Sequence, residues 1–144
     1  MREWLLVDGY NVINNWREFK KLREDSLADA RALLCDQIAE YCAFKGHEGV
    51  LVFDAQEVQG EAVVEKIVGI TVVYTDEGET ADAWIERRAH ELKKCPDTTV
   101  FVVTSDYAEQ INVLGSGAYR ISAREFRQEY LQVKKNKLVL RQRQ

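Results

Sequence analysis

The chain is poor in the residues that staple or ligate. Its three cysteines, Cys35, Cys42 and Cys95, form an odd set without CxxC spacing, which argues against a disulfide framework or a zinc site. Cys35 and Cys42 lie seven apart in a helical segment and read as small buried hydrophobes. His47 and His90 are isolated, with no second histidine at helical spacing to share a metal. No apolar run approaches the roughly 20 residues needed to span a bilayer. Met1-Arg2-Glu3 leads straight into a strand-like run and lacks a signal-peptide pattern. A cytoplasmic protein without membrane contact is therefore expected. GxGxxG is missing too: Val7-Asp8-Gly9-Tyr10-Asn11 does not supply it, and Gly115-Ser116-Gly117 follows a predicted helix rather than a strand. A nucleotide cofactor is not expected. With no internal repeat, low-complexity tract or linker, the 144 residues read as one domain, long enough to bury about two thirds of its unfolded surface.

What is present begins with four apolar runs rich in β-branched residues: Trp4–Val7, Val50–Phe53, Ile70–Tyr74 and Val100–Val103. They do not alternate polar with apolar, so each reads as a strand buried on both faces, as in a parallel sheet. Helical patterns separate them. Ser26 and Asp29 resemble a capping box ahead of Leu27, Ala30, Leu34, Ile38, Tyr41 and Cys42, and Gly46 can end that helix. A second helix starts at Thr80 and carries Ala81, Ile85, Ala89 and Leu92 on one stripe, with Pro96 just past its end. A short third follows Asp106. A fourth starts at Ser122, which pairs with Glu125 as a capping box between the staple residues Ile121 and Phe126. Residues 55–69 read as loop or partial helix, and Leu138–Leu140 as an edge strand or continued helix. Alternating strands and helices imply an α/β fold with a mostly parallel central sheet flanked by helices.

Three of the four runs meet an aspartate directly or after two intervening residues: Asp8, Asp54 and Asp106. Open parallel sheets bind ligands outside the carboxyl ends of their strands, so these side chains should converge although about 50 residues separate each from the next. Glu79 and Asp82, at i and i+3, share one side of the second helix's first turn, and Glu86 is a peripheral candidate one turn on. Crowded carboxylates repel unless a cation intervenes, and oxygen ligands suit Mg²⁺ or Mn²⁺. Such ions activate water and stabilise charge on phosphoryl oxygens, which matches phosphodiester hydrolysis. Each acid also has a purely structural reading: Asp106 as a helix cap, Asp82 as a favourable charge at a helix N-terminus. Spacing alone leaves both readings open.

The same residues carry a family resemblance. Leu5-Leu6-Val7-Asp8-Gly9-Tyr10-Asn11-Val12-Ile13 resembles the opening motif of the NYN branch of PIN-like nucleases. Val52-Phe53-Asp54-Ala55, Glu79-Thr80-Ala81-Asp82 and Val103-Thr104-Ser105-Asp106-Tyr107 are similar to the later motifs, and Gly115–Glu125 to the YacP-like subfamily in particular. The match is collinear over about residues 4–130. It implies a PIN-like fold and a divalent-metal endoribonuclease of the ribosome-associated type that cuts mRNA in the A site. By that resemblance Asp8, Asp82 and Asp106 are the catalytic, metal-holding acids, with Glu79 and Asn11 beside them. Thr104 and Ser105 line the site, and Asp54 is a supporting residue that holds the loop rather than the metal. The chain ends at Gln144, where many members carry a longer charged tail; if that tail contacts the ribosome, weaker binding is expected here.

The net charge of −4 is unevenly spread: residues 120–144 hold eight Lys or Arg against two Glu, a net +6, leaving −10 for residues 1–119. Lys20, Lys21 and Arg23 form one basic cluster and Arg120, Arg124 and Arg127 another, suited to salt-dependent phosphate contacts. Tyr10, Trp16, Tyr107 and Tyr119 lie near the motif loops and could stack an unpaired base; Trp84 and Phe101 read as core. An acidic body holds free RNA poorly, so a larger partner such as the ribosome is expected to present the mRNA. Two alternatives remain. One is a PIN-like module that binds RNA or a ribosome without cutting. The other is a metal-dependent phosphatase of the haloacid-dehalogenase type, but its second aspartate would stand where this chain has Tyr10.

Overall fold

The computed structural model describes residues 2–54, 63–67, 69–106 and 115–142. The four apolar runs are strands, joined by two more. They are β1 (Arg2–Asp8), β2 (Glu48–Phe53), β3 (Val63–Ile67), β4 (Ile70–Tyr74), β5 (Thr98–Val103) and β6 (Tyr119–Ile121). The sheet order is β3-β4-β2-β1-β5-β6. Among the described residues five strands run parallel and β3 alone is antiparallel, pairing with β4 from Val63↔Tyr74 to Ile67↔Ile70. Part of the 55–69 segment is thus an edge strand rather than a loop or partial helix. Sheet pairing with β4, not a local signal, makes it one.

Helices cover both faces. These are α1 (Gly9–Asn15), a 3₁₀ turn (Arg17–Phe19), α2 (Lys20–Asp25), α3 (Leu27–Lys45), α4 (Ala81–Lys93) and α5 (Ala123–Gln142). Their ends are where the capping residues put them. The Ser26 hydroxyl accepts from the Asp29 N–H, and Gly46 closes α3 at φ +74°. Ser122 and Glu125 form both halves of their box: Ser122 N–H donates to Glu125 and Glu125 N–H to the Ser122 hydroxyl, each at 3.1 Å. These bonds hold the Glu125 carboxyl below its usual range. Leu138–Leu140 continue α5 and are exposed. The predicted helix after Asp106 lies outside the described residues. No helix among those described is long and apolar enough to cross a membrane.

Strand alternation divides the core. Leu5, Val7, Leu51, Phe53, Ile70, Val72 and Val103 pack on one face against residues of α1, α3 and α5, including Val12, Ile38, Tyr41 and Phe126. Leu6, Val50, Val52, Val73, Val100 and Val102 pack on the other against Ala81, Ile85 and Ala89 of α4. Each fully buried side chain of this size contributes roughly 1.5–3 kcal/mol. Burial on both faces is why the strand sequences show no polar alternation. Cys35 and Cys42 are buried on the α3 stripe, neither of them in a disulfide.

Candidate active site

Successive strand side chains point to opposite faces, and parallel neighbours in register share a face. Asp8 is alongside Val52, and Val7 alongside Val103, which puts Thr104 beside Asp8 one position on. Phe53 is alongside Tyr74, so Asp54 and Thr75 form the next polar pair, two residues further toward the carboxyl edge. Since Leu6, Val52, Val73 and Val102 all face α4, the same parity puts Asp8, Asp54, Thr75 and Thr104 on the α4 side. Helix α4 begins at that edge. The Asp54 carboxylate accepts from the Ala81 N–H at 3.4 Å, at the first turn of α4 next to Asp82. Aspartates of β1 and β2 and the helix start bearing Asp82 are therefore assembled at one edge.

Short hydrogen bonds fix the surrounding loops. The Asp8 carboxylate caps α1 by accepting from the Asn11 N–H at 3.3 Å. The Asn11 side-chain oxygen accepts from the Ser105 N–H at 2.9 Å, and the Ser105 hydroxyl accepts from the Ala123 N–H at the start of α5 at 3.0 Å. Trp16, 2% exposed, donates its indole N–H to the Ala123 carbonyl at 2.8 Å. The Asp106 N–H donates to the Thr104 hydroxyl at 3.1 Å, a local turn that Thr favours. Asn11 and Ser105 thus tie three segments distant in the chain. Thr75, which the motifs did not single out, is buried and donates its hydroxyl to the Glu79 carbonyl at 2.8 Å. Its signal was a polar residue directly after an apolar strand, the position Asp8, Asp54 and Thr104 also occupy.

Several candidates sit elsewhere than expected. Tyr10 is a core residue, not an exposed stacking platform: its ring lies 5.0 Å from Phe53, and its hydroxyl accepts from Arg31 at 3.1 Å. Trp16 is likewise buried, packed on Phe19, Phe126 and Tyr130. Glu79 pairs with Arg87 at 2.7 Å, on the outer side of α4. Arg127 is held by Glu18, with Nε and Nη2 each 2.9 Å from a carboxylate oxygen, so this cation serves the fold. Arg23 donates to Asn14. Lys20, Lys21 and Arg124 are exposed. Tyr119 is exposed and stacks on Phe101, which with Trp84 is partly buried against the core. Tyr107 lies outside the described residues.

The profile of the YacP-like NYN domain matches residues 5–144. The chain belongs to this family. The YacP-like NYN domain, a PIN-like nuclease fold, thus extends over almost all of it. The uncharacterized protein YacP of Bacillus subtilis (strain 168) is 42% identical over 125 residues, covering 87% of this chain and 73% of that protein. The crystal structure of Rae1 (YacP) from Bacillus subtilis superposes with a TM-score of 0.82 at 38% identity, covering 97% of this chain and 79% of that one. A variant of the same protein gives a TM-score of 0.82 over 94% of this chain.

PIN-like nuclease domains generally use divalent metals, and the donors of this NYN domain fit one in kind. Asp8 and Asp54 bring hard oxygen donors to this edge, the α4 turn bearing Asp82 is bonded to Asp54, and Asp106 follows Thr104, the lateral neighbour of Asp8. Among the described residues no three His, Cys, Asp or Glu side chains close into a metal cage. Mg²⁺ does not demand one, since it keeps several waters and is held by one or two carboxylates plus substrate phosphate.

Proposed function

We propose that the protein is a divalent-metal-dependent endoribonuclease that hydrolyses RNA phosphodiester bonds, acting on mRNA presented by the ribosome. One observation carries this reading: Asp8, Asp54 and Thr104 share the α4 face of the sheet, and the Asp54–Ala81 bond brings the Asp82 turn to the same edge. Asp8, Asp82 and Asp106 are the acids that hold Mg²⁺ or Mn²⁺. An ion held there would supply a water of lowered pKa and positive charge for the phosphoryl oxygen. Asp54 anchors the start of α4. Asn11, Thr104 and Ser105 hold the Asp106 loop in place, and Glu79 supports the α4 turn through Arg87. Lys20, Lys21 and Arg124 are exposed cations for the RNA backbone, and Tyr107 remains a candidate for stacking a base.

A second reading, a non-catalytic RNA- or ribosome-binding module, draws on a different observation: Asp8 and Asp54 already serve as helix-start acceptors. Cleavage of a defined mRNA, with and without translating ribosomes, in Mg²⁺ or Mn²⁺ and beside Asp82→Asn, separates the two. Metal-dependent cuts that need ribosomes and vanish in the variant are expected. Equal cutting of naked RNA removes the ribosome from the proposal. Ribosome binding without cleavage under any condition favours the second reading.

A further inference from the structure

The basic residues near the site are not equivalent. Arg120 is central in β6 and alongside Val102 of β5. Its neighbours Tyr119 and Ile121 face the α1/α3/α5 side, through Phe101 and the first core cluster. Alternation therefore puts Arg120 on the opposite side, with Asp8, Asp54 and Thr104. Its side chain runs toward the carboxyl edge: Nε donates to the Thr104 carbonyl at 3.2 Å. Thr104 lies two residues, roughly 6.6 Å, beyond the level of Val102, and is the lateral neighbour of Asp8. Among the described residues, the Arg120 terminal nitrogens have no hydrogen bond or close ion pair, and the Glu125 carboxylate, itself held by Ser122, acts on Arg120 only through its charge. Arg127, by contrast, is engaged by Glu18 and Arg87 by Glu79. Arg120 is thus a half-buried guanidinium, held by one N–H, with its remaining donors available at the carboxylate edge.

A fixed cation beside several carboxylates would ordinarily pair with one. Here a backbone carbonyl holds it, so its fork of donors stays available for another anion. A tetrahedral phosphate matches that fork by two parallel hydrogen bonds. We propose that Arg120 binds the RNA phosphate at the acidic edge, orienting it against Asp8 and the Asp106 loop; this rests on the nuclease reading. The exposed Lys20, Lys21 and Arg124 then contact phosphates further along the strand, where they add affinity but do not touch the reacting group.

Lysine cannot replace this arginine, because one ammonium cannot hold the Thr104 carbonyl and also present two planar donors. In cleavage assays, Arg120→Lys and Arg120→Gln should lower kcat by about a hundredfold with little change in KM, the size of effect seen when one preorganised donor is lost. Arg124→Gln should chiefly raise KM. Added guanidinium at millimolar concentration should restore part of the kcat of Arg120→Ala but not that of Asp82→Asn. A second readout needs neither metal nor turnover. In EDTA, the dinucleotide UpU should shift the Arg120 Nε–H resonance saturably, and uridine, which lacks the phosphate, should not. If UpU leaves that resonance unmoved, or uridine moves it equally, the proposal is overturned. It is also overturned if an active wild type loses no kcat in Arg120→Gln. Phosphate binding with no cleavage by the wild type would sink the nuclease reading and leave the phosphate contact standing.

Discussion

Gly9 opens α1 directly after Asp8, and its φ is not positive. Conformational freedom is therefore not the reason for glycine here. A Cβ at this position would stand 2.3 Å from Phe53 Cε1, 2.6 Å from Cδ1 and 3.0 Å from Cζ. The Phe53 ring cannot retreat easily, since it is fully buried between Tyr10, 5.0 Å away, and Tyr74, stacked at 5.6 Å. Gly9→Ala should thus overpack this corner at a cost of roughly 1–3 kcal/mol. Alanine recovers at most about 0.5–1 kcal/mol of helix propensity. With a net loss of roughly 0.5–2.5 kcal/mol and ~2–4 °C per kcal/mol for a chain near this size, the melting midpoint should fall by roughly 1–10 °C. Because residues 8–11 carry both the Asp8 cap and the Asn11–Ser105 bond, cleavage should fall more steeply than stability. Phe53→Leu in the same background makes room for the methyl, so the double variant should be less destabilised than the sum of the singles. Denaturant unfolding of the four proteins measures this. A Gly9→Ala midpoint equal to wild type, or strict additivity with Phe53→Leu, would refute the close-approach argument.

Trp16→Phe removes the buried indole bond to the Ala123 carbonyl and some packing on Phe126; urea unfolding should register a loss of about 1–3 kcal/mol. Burial pushes the Cys42 thiol from 9.0 up to about 12 and the Tyr130 hydroxyl from 10.0 up to about 12. Both groups are favoured neutral in the fold, so their contribution is complete below their unfolded values and declines as pH rises from about 9 toward 12; alkaline melting curves should show it. Cys95 is exposed, and its thiol is lowered by bonding to Thr98. A thiol-reactive disulfide reagent at pH 8 should modify Cys95 promptly and reach Cys35 and Cys42 only on unfolding. Burial lowers the His47 imidazole below 6.5, partly opposed by the Glu3 carboxylate. That contribution is complete above pH 6.5 and is lost as pH falls through the folded value, so the His47 ring resonance should titrate below 6.5.

Much of the fold is legible because its signals are local. The four apolar runs, the Ser122–Glu125 box, Gly46 and the α4 stripe each lie within a few residues, and the structure realises each. The arrival of Asp8 and Asp54 at one edge also follows from the sequence, since a parallel sheet brings all its strand ends to one side. The fate of individual side chains does not follow. Tyr10 and Asn11 are adjacent in the first motif, yet one is buried against Phe53 and the other bonds Ser105, 94 residues away. The basic residues at 120, 124 and 127 look alike in the sequence. Glu18 engages Arg127, solvent surrounds Arg124, and the Thr104 carbonyl holds Arg120. Strand β3 is defined by pairing with β4, and the need for Gly9 by a ring 44 positions away. By itself the sequence determined the four central strands and the helices α3, α4 and α5, and hence which edge collects the acids, because periodicity and capping are short-range. Only the tertiary structure decided which side chains remain available at that edge, because burial and ion pairing depend on neighbours that the chain brings together from far along its length.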